Sequence, residues 1–440
     1  MTLLAGAIER MRTCEPVAVR GEVASLRGMT LLVADLPVVV GSIVRVEASG
    51  GERLGEVIGF DGGYAIVMML GHIAGVRSGD HVWSHESSPT VAVGASMLGR
   101  VIDGLGRPID DGPPLRELSP ALVHPEPSGP LQRRPIREPL ATCVRAIDTM
   151  TTVGRGQRLG IFAGPGVGKS TLLSMIARNT SAEVNVIALI GERGREVRDF
   201  IENALGTEGL ARSVLVVSTS DESPLMRVRA AFVACAVAEH FRDRGSDVML
   251  MVDSVTRFAH AQRQIGLAVG EPPATKGYTP SVFAMLPRLL ERAGAFDARS
   301  GRGGSVTGFY TVLVEGDDMT EPVADAVRGI LDGHVMLSRT LAQRGHFPAI
   351  DVLDSVSRLA DDVCSAEHIT ARRELGRLLA AHRSVEELLQ IGAYASGSNP
   401  LADRAIALKE HIDTLLCQPS DVSTPMEESV AALRALMQAR

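Results

Sequence analysis

The stretch Ala163-Gly164-Pro165-Gly166-Val167-Gly168-Lys169-Ser170-Thr171 restricts what this chain can fold into more than any other segment. It follows the apolar run Leu159-Gly160-Ile161-Phe162 and opens a helical pattern, Leu172-Leu173-Ser174-Met175-Ile176. Strand, glycine-rich loop, Lys-Ser and helix, in that order, form a phosphate-binding P-loop. Successive backbone N–H groups of such a loop point inward at an anion, and the helix N-terminus adds its positive dipole end. The residues from Gly164 to Thr171 are therefore the candidate phosphate cradle. In it Lys169 supplies a compact charge for the β- and γ-phosphates, and the Ser170 hydroxyl is a candidate ligand for Mg²⁺. Of the 45 Lys and Arg residues, only Lys169, Lys276 and Lys409 are lysine. A chain that writes almost every cation as Arg keeps Lys here, where a point charge on a flexible stem fits and a planar fork does not. Ala163 takes the place of the first glycine of the usual pattern, and Pro165 stiffens the loop without removing the later glycines.

At 440 residues the chain exceeds what one hydrophobic core supports, so two or three domains are expected. A formal charge of −7 gives no electrostatic support for a nucleic-acid footprint. The cysteines Cys14, Cys143, Cys235, Cys364 and Cys417 are scattered, without Cys-x-x-Cys, and read as reduced thiols of a cytosolic protein rather than a zinc site. No apolar run approaches the roughly 20 residues that span a bilayer. Glu9, Arg10 and Arg12 interrupt the first apolar stretch too early for a signal peptide. Membrane contact is expected to be peripheral only.

Residues 17–90 read as short strands punctuated by glycine: Gly21–Val23, Met29–Val33, Ile43–Val46, Glu56–Phe60 and Tyr64–Leu70. Even spacing of this kind predicts a small β-barrel. With only Phe60, Tyr64 and Trp83 as aromatics it suits a structural or oligomer-collar role better than a base-stacking one. Residues 100–140 are rich in Gly and Pro and are expected to wrap or link. From Arg145 onward, the buried-strand runs Val184–Ile190, Val214–Val217, Val248–Val252 and Val306–Val314 alternate with helical spacing such as Leu225, Val228, Phe232 and Cys235. That alternation predicts an α/β fold, a mainly parallel sheet with helices on both faces. It spans residues 91–354 as the second main domain. Beyond about residue 355 the strands stop. Ile369–Leu379, Val385–Ile391, Leu401–Leu416 and Met426–Met437 read as helices of a C-terminal domain, residues 355–440, with a modest core of its own.

Two further segments carry chemistry. Val248-Met249-Leu250-Met251-Val252-Asp253 is an apolar strand ending in a carboxylate that can fix Mg²⁺ through a bound water. The strand Val184–Ile190 runs into Gly191-Glu192-Arg193-Gly194-Arg195-Glu196. A glutamate beside two arginines at a strand end suits phosphoryl transfer to water, which needs an oriented nucleophile and cations. From these residues alone, a solvated charge cluster capping the next helix fits equally well.

The long motifs decide between these. Gly191-Glu192-Arg193-Gly194-Arg195-Glu196-Val197, Asp253-Ser254-Val255-Thr256-Arg257-Phe258-Ala259 and Gly270-Glu271-Pro272-Pro273 with Gly277-Tyr278 resemble the flagellar and type III secretion export ATPases. So do Tyr310-Thr311-Val312-Leu313-Val314-Glu315-Gly316-Asp317-Asp318, Ile330-Leu331-Asp332-Gly333-His334 and Pro348-Ala349-Ile350-Asp351-Val352-Leu353 with Ser357-Arg358. The likeness runs from about Leu98 to the C-terminus and more weakly through Glu56-Val57-Ile58-Gly59-Phe60. It implies a RecA-like P-loop NTPase core related to rotary ATP synthase catalytic subunits, with ATP as substrate and Mg²⁺ as cofactor. It also implies roles: Glu192 polarises the attacking water, Arg193 sits near the γ-phosphate, Arg358 is an arginine finger reaching into the neighbouring subunit's site. Phe347 takes the place of a tyrosine that stacks on adenine. Cys143 stands where the family usually has Gly, and Pro165 replaces a small residue.

A finger donated in trans implies a ring, and the family likeness implies a homohexamer. The partners so implied are a central stalk protein, the export gate, chaperone–substrate complexes and a regulatory stator-like protein at the N-terminus. Leu4, Ile8 and Met11 fall at helical spacing, making residues 1–16 an amphipathic helix for that regulator or for the chain's own barrel. Alternatives are a rotary or vacuolar-type ATPase subunit, a Rho-like RNA helicase and a nucleotide-binding subunit without turnover. The barrel, neither basic nor aromatic-rich, opposes the helicase, and the joint presence of Lys169, Glu192, Asp253 and Arg358 opposes the last. Gly308-Phe309-Tyr310 and Gly345-His346-Phe347-Pro348 lean towards the flagellar branch, with the virulence branch open.

Overall fold

The computed structural model describes residues 19–86, 89–296, 303–314, 316 and 318–438. The expected N-terminal helix lies outside them.

Six strands, β1 (Arg20–Arg27), β2 (Thr30–Ala34), β3 (Ile43–Ala48), β4 (Gly51–Asp61), β5 (Tyr64–Met69) and β6 (His81–Glu86), close into a barrel in the order β1-β2-β5-β4-β3-β6. Alternate residues such as Val23, Val44, Val46, Val57, Val67 and Val82 fill its interior and are fully buried. The sixth strand is the one the sequence pattern did not reveal. From His81 to His85 only Val82 is buried, and the others are partly or wholly exposed.

The barrel is docked on the second domain by Ile43, Met68 and Leu70, which join that domain's buried cluster, and by polar contacts. The Ser223 hydroxyl donates to the Leu70 carbonyl at 2.9 Å, and Arg229 lies 3.8 Å from the Glu56 carboxylate. Both ions of that pair are almost wholly buried, and burial pushes the Glu56 carboxyl up to about 7 against the lowering influence of Arg229.

The second domain is a sheet of β7 (Arg100–Ile102), β8 (Arg158–Ala163), β9 (Val184–Glu192), β10 (Ser213–Thr219), β11 (Asp247–Asp253), β12 (Ser305–Leu313), β13 (Gly333–Leu337) and β14 (Ile350–Ser357). They lie in the order β14-β13-β8-β12-β11-β9-β10-β7, and the short pair Gly294–Ala295 adds to β12. All neighbours on this path are parallel except β13 and β14. Arg100–Ile102, inside the stretch expected only to wrap or link, is thus a buried edge strand of the sheet.

Both faces of the sheet are covered, as its near-continuous apolar strands require. Phe162, Val186, Ala188 and Ile190 point to one face, against helices α2 (Pro224–Arg242), α3 (Val255–Ala268) and α4 (Pro280–Leu290). Leu159, Ile161, Ile187 and Leu189 point to the other, against the P-loop helix α1 (Lys169–Asn179).

Four C-terminal helices follow: α5 (Ala366–Gln390), α6 (Pro400–Ala407), α7 (Lys409–Leu416) and α8 (Met426–Gln438). The stretch expected as two helices, Ile369–Leu379 and Val385–Ile391, is the single helix α5. Ala380-Ala381-His382-Arg383-Ser384 carries no proline or glycine to stop it, and Gly376 is tolerated inside it. Leu401–Leu416 instead divides at Leu408.

The modest core expected of these helices is small, and most of their buried residues belong elsewhere. Ala371, Leu375, Leu378, Ile412, Leu415, Leu416, Leu433 and Met437 join the same buried cluster as Leu172, Leu173 and Ile176 of α1. Only Ala381, Val385 and Ala402 form a cluster apart. The C-terminal helices are therefore packed, through one continuous core, onto the side of the sheet that carries the P-loop helix. No helix among the described residues is long and apolar enough to cross a membrane.

Candidate active site

The site forms at the carboxyl ends of β8, β9 and β11, where ligands of parallel sheets sit. Beyond β8 the chain turns through Gly164 to Gly168. Gly166 and Gly168 adopt φ of +76° and +91°, a left-handed backbone that side-chain-bearing residues rarely take. Val167 is buried and anchors the loop, while Pro165, Gly166, Ser170 and Thr171 are exposed to the space above the strands. The backbone N–H groups of the loop and first helical turn are thus free to face an anion. At Gly168 an added Cβ would lie 3.7 Å from the Phe347 ring, so Phe347 borders the P-loop on one side. Its ring is about half exposed.

Three of the expected catalytic side chains converge. The Lys169 ammonium pairs with Asp253 Oδ1 and lies 3.9 Å from Glu192 Oε1. Their side chains are only 13%, 7% and 16% exposed for Lys169, Asp253 and Glu192, so the charges act in a partly desolvated setting. Burial pushes the Glu192 carboxyl up to about 7, helped by the Asp253 charge and by Glu196, with Lys169 pulling the other way. Gly191, with φ of +72°, makes the turn that presents Glu192, and the Arg257 side chain packs behind it, 3.1 Å from where a Cβ would stand. Ser254 caps α3 through the Arg257 N–H, and the Asp253–Ser254 peptide is cis.

Thr311 was not singled out by sequence reasoning. Its hydroxyl donates to Asp253 Oδ1 at 2.7 Å, fixing that carboxylate from β12. A threonine in an apolar strand was the available signal, but its use depends on β12 lying beside β11, which only the fold reveals.

Two expected residues stand apart. Arg193 is 78% exposed and pairs with Glu196 at 3.5 Å rather than facing Lys169. Arg358 is exposed just past the end of the antiparallel edge strand β14. Ser357 is level with Gly333, whereas Leu337 is level with Ala163, so Arg358 emerges at the opposite end of the sheet from its own P-loop.

The donor set suits Mg²⁺. A hydroxyl and a carboxylate are hard oxygen ligands, and such ions are held by one or two protein groups plus phosphates and water. Among the described residues no cluster of three or more His, Cys, Asp or Glu side chains builds a protein cage for a metal.

Cys143, at the position that resembles a family glycine, has φ of +57°. The left-handed backbone there explains the usual glycine. The turn is held by the buried Asp148 carboxylate, which accepts from the Thr142 hydroxyl at 2.7 Å and from the Thr142 and Cys143 N–H groups at 2.9 Å.

Residues 143–357 match the ATP synthase alpha/beta family nucleotide-binding domain, and residues 364–435 match the T3SS EscN ATPase C-terminal domain. The flagellum-specific ATP synthase of Bacillus subtilis (strain 168) is 52% identical over 381 residues, 87% of this chain and 86% of that one. The type 3 secretion system ATPase of Xanthomonas euvesicatoria is 47% identical over 418 residues, covering 94% and 93%. The solved structure of the assembled ATPase EscN from the enteropathogenic E. coli type III secretion system superposes with a TM-score of 0.88 at 42% identity, over 94% of this chain and 99% of that one. The same ATPase in complex with its central stalk EscO superposes with a TM-score of 0.87. A nucleotide-binding domain, a C-terminal domain and the overall fold thus match one known group, and the chain belongs to the family of flagellum-specific ATP synthases and type III secretion ATPases.

Proposed function

We propose that this ATPase works as a homohexameric ring that hydrolyses Mg²⁺-bound ATP to assist protein export through a flagellar-type (type III) secretion apparatus. The observation that carries the reading is the division of catalytic groups within one chain. Lys169, Glu192 and Asp253 are together at one edge of the sheet, and Arg358 is exposed at the far end of β14. A chain arranged so completes its site only with a neighbour's arginine.

The residues then divide the work. The P-loop from Gly164 to Thr171 holds the triphosphate, with Lys169 leaving Asp253 for the β- and γ-phosphates. Ser170 and Asp253 would hold Mg²⁺, directly or through water, where it would supply neutralisation of developing phosphate charge. Glu192, as a carboxylate, orients and polarises the attacking water. Arg193, on the mobile-length side chain at the rim, and the neighbour's Arg358 stabilise charge on the transferred phosphoryl group. Phe347 stacks on the adenine.

The surrounding partners follow the same reading. The complex of EscN with its central stalk supports a stalk protein for this ring as well. Chaperone–substrate complexes, the export gate and a stator-like regulator are the further partners proposed, with the ring working in the cytoplasm at the membrane-embedded apparatus. The match of residues 364–435 to an export-type C-terminal domain favours this over a rotary or vacuolar subunit.

Two measurements test it. Steady-state ATPase activity per subunit should rise steeply with protein concentration as rings form, be abolished by EDTA, and ignore added single-stranded RNA. Specific activity that is flat across dilution contradicts the shared site, and strong stimulation by RNA contradicts the export reading.

The second is pH. The raised Glu192 carboxyl is active only when ionised, so its protonation near pH 7 removes the function as pH falls. The value kcat/KM, which reports the free enzyme, should drop roughly tenfold per unit below about pH 7 and level off above it. A profile that stays flat from pH 6 to 8 would show that Glu192 is not the group that must be charged.

A further inference from the structure

Phe347 is held from behind by the connector between α7 and α8, where the Cys417 thiol meets its backbone N–H and the buried Gln418 its carbonyl. Gln418 lies in the connector between α7 and α8 and is 3% exposed. Its backbone N–H donates to the Phe347 carbonyl at 2.9 Å. Its side-chain oxygen accepts from the Arg145 N–H at 2.8 Å, and its Nε2 donates to the carbonyls of Cys143 at 2.9 Å and Val422 at 2.7 Å. Because one partner is an N–H and the other two are carbonyls, only one orientation of the amide satisfies all three.

The connector is clamped on both sides. Arg178 of the P-loop helix donates to the Ser420 carbonyl at 2.6 Å, and the Arg145 guanidinium donates to the Cys417 carbonyl. Either side of it, Leu415, Leu416 and Leu433 are buried in the core shared with α1. One short segment therefore touches the residue that borders the P-loop, the turn at Cys143 and the far end of α1.

From this geometry we infer that Gln418 is a positioning residue for the adenine: it fixes the Phe347 backbone, and with it the ring, relative to the P-loop, and so ties nucleotide affinity to the seating of the C-terminal helices. The inference rests on the reading of Phe347 as the adenine-stacking residue. Removing the Gln418 side chain leaves its own N–H in place but frees the backbone that aims it. A carboxylate there sets an acceptor against the two carbonyls, so Gln418→Glu does not substitute for the amide.

The test measures KM for ATP, kcat, and competitive inhibition by inorganic tripolyphosphate, which lacks the base, on Gln418→Ala, Gln418→Glu, Phe347→Ala and the Phe347→Ala/Gln418→Ala double variant. Loss of a stacking contact gives about a tenfold rise in KM. Gln418→Ala and Gln418→Glu should each show that rise, with kcat at saturating ATP changed less than the KM and tripolyphosphate inhibition unchanged. The double variant should be no worse than Phe347→Ala alone, because Gln418 acts through Phe347.

A rise that multiplies with that of Phe347→Ala, or equal weakening of ATP and tripolyphosphate, overturns the inference. A Gln418→Ala chain that melts early is replaced by Gln418→Met, which keeps the volume, and an unchanged KM there overturns it too. If Phe347→Ala itself leaves KM unchanged, the adenine reading of Phe347 fails and the inference falls with it. If Phe347→Ala raises KM and the Gln418 variants do not, only the inference fails.

Discussion

Glu192→Gln should lower kcat by about 10²–10⁴-fold while leaving ATP binding within a few-fold of wild type. The substitution preserves shape, and the Gly191 turn and the Arg257 packing behind it are untouched. What is lost is the carboxylate charge that can draw on a water proton. Binding should persist because Lys169 and the P-loop amides, rather than Glu192, face the phosphates in this reading. Removing a negative charge 3.9 Å from Lys169 also frees that ammonium for phosphate, so affinity should hold or tighten. Nucleotide titration by fluorescence alongside single-turnover hydrolysis separates the two effects. A kcat within tenfold of wild type would remove Glu192 from the chemistry and return it to the role of a charge capping the next helix.

Arg358→Ala should have an effect at least as large, roughly 10³–10⁵-fold in kcat, if its guanidinium serves as an arginine finger. The case for this rests on where β14 leaves the residue. The run from the Gly333–Ser357 pair to the Leu337–Ala163 level covers four residues of strand, roughly 13 Å at 3.3 Å per residue, before the P-loop begins. An arginine side chain does not cover that distance back across its own sheet. Its backbone N–H is tied to the Asp332 carbonyl at 3.0 Å, so the root of the side chain is fixed while its head is exposed. Truncation to alanine therefore removes a solvent-facing group and should leave the melting temperature within the small range typical of surface substitutions. Ring assembly, followed by light scattering at the same concentration, should persist. A loss of activity that instead tracks a loss of assembly would mark Arg358 as an interface contact.

Much of this site could be read before folding because its pieces are local. The P-loop is nine consecutive residues. Asp253 closes the apolar strand β11, and Glu192 ends the buried run of β9. What could not be read depends on neighbours far apart in sequence. Thr311 reaches Asp253 only because the sheet inserts β12 between β8 and β11, an order that strand runs do not specify. Gln418 meets Phe347 only because α7 and α8 pack on the face of the sheet that carries the P-loop helix, against the Arg145–Met150 segment.

The barrel shows the same division in another form. Its alternating strands announced themselves through Val44, Val46 and Val67. The closing strand did not, since Val82 is its one buried residue between His81 and His85 and leaves almost no apolar period to detect. The helices were misjudged where local signals conflict with packing. Nothing in Ala380–Ser384 stops a helix, yet the apolar stripe thins there and suggested an end. At Cys143 the departure from the resembling family had a readable cause only once its left-handed backbone was known.

Mixing two inactive variants tests the shared site most directly. Arg358→Ala subunits keep Glu192, and Glu192→Gln subunits keep Arg358. Where an Arg358→Ala subunit adjoins a Glu192→Gln subunit in the productive order, one intact site forms, with the glutamate from the first and the finger from the second. Co-assembled rings should therefore regain ATPase activity well above either parent, rising and then falling as the mixing ratio passes through equal amounts. Activity that never exceeds the sum of the two parents, in rings shown to contain both, would mean that each chain completes its own site.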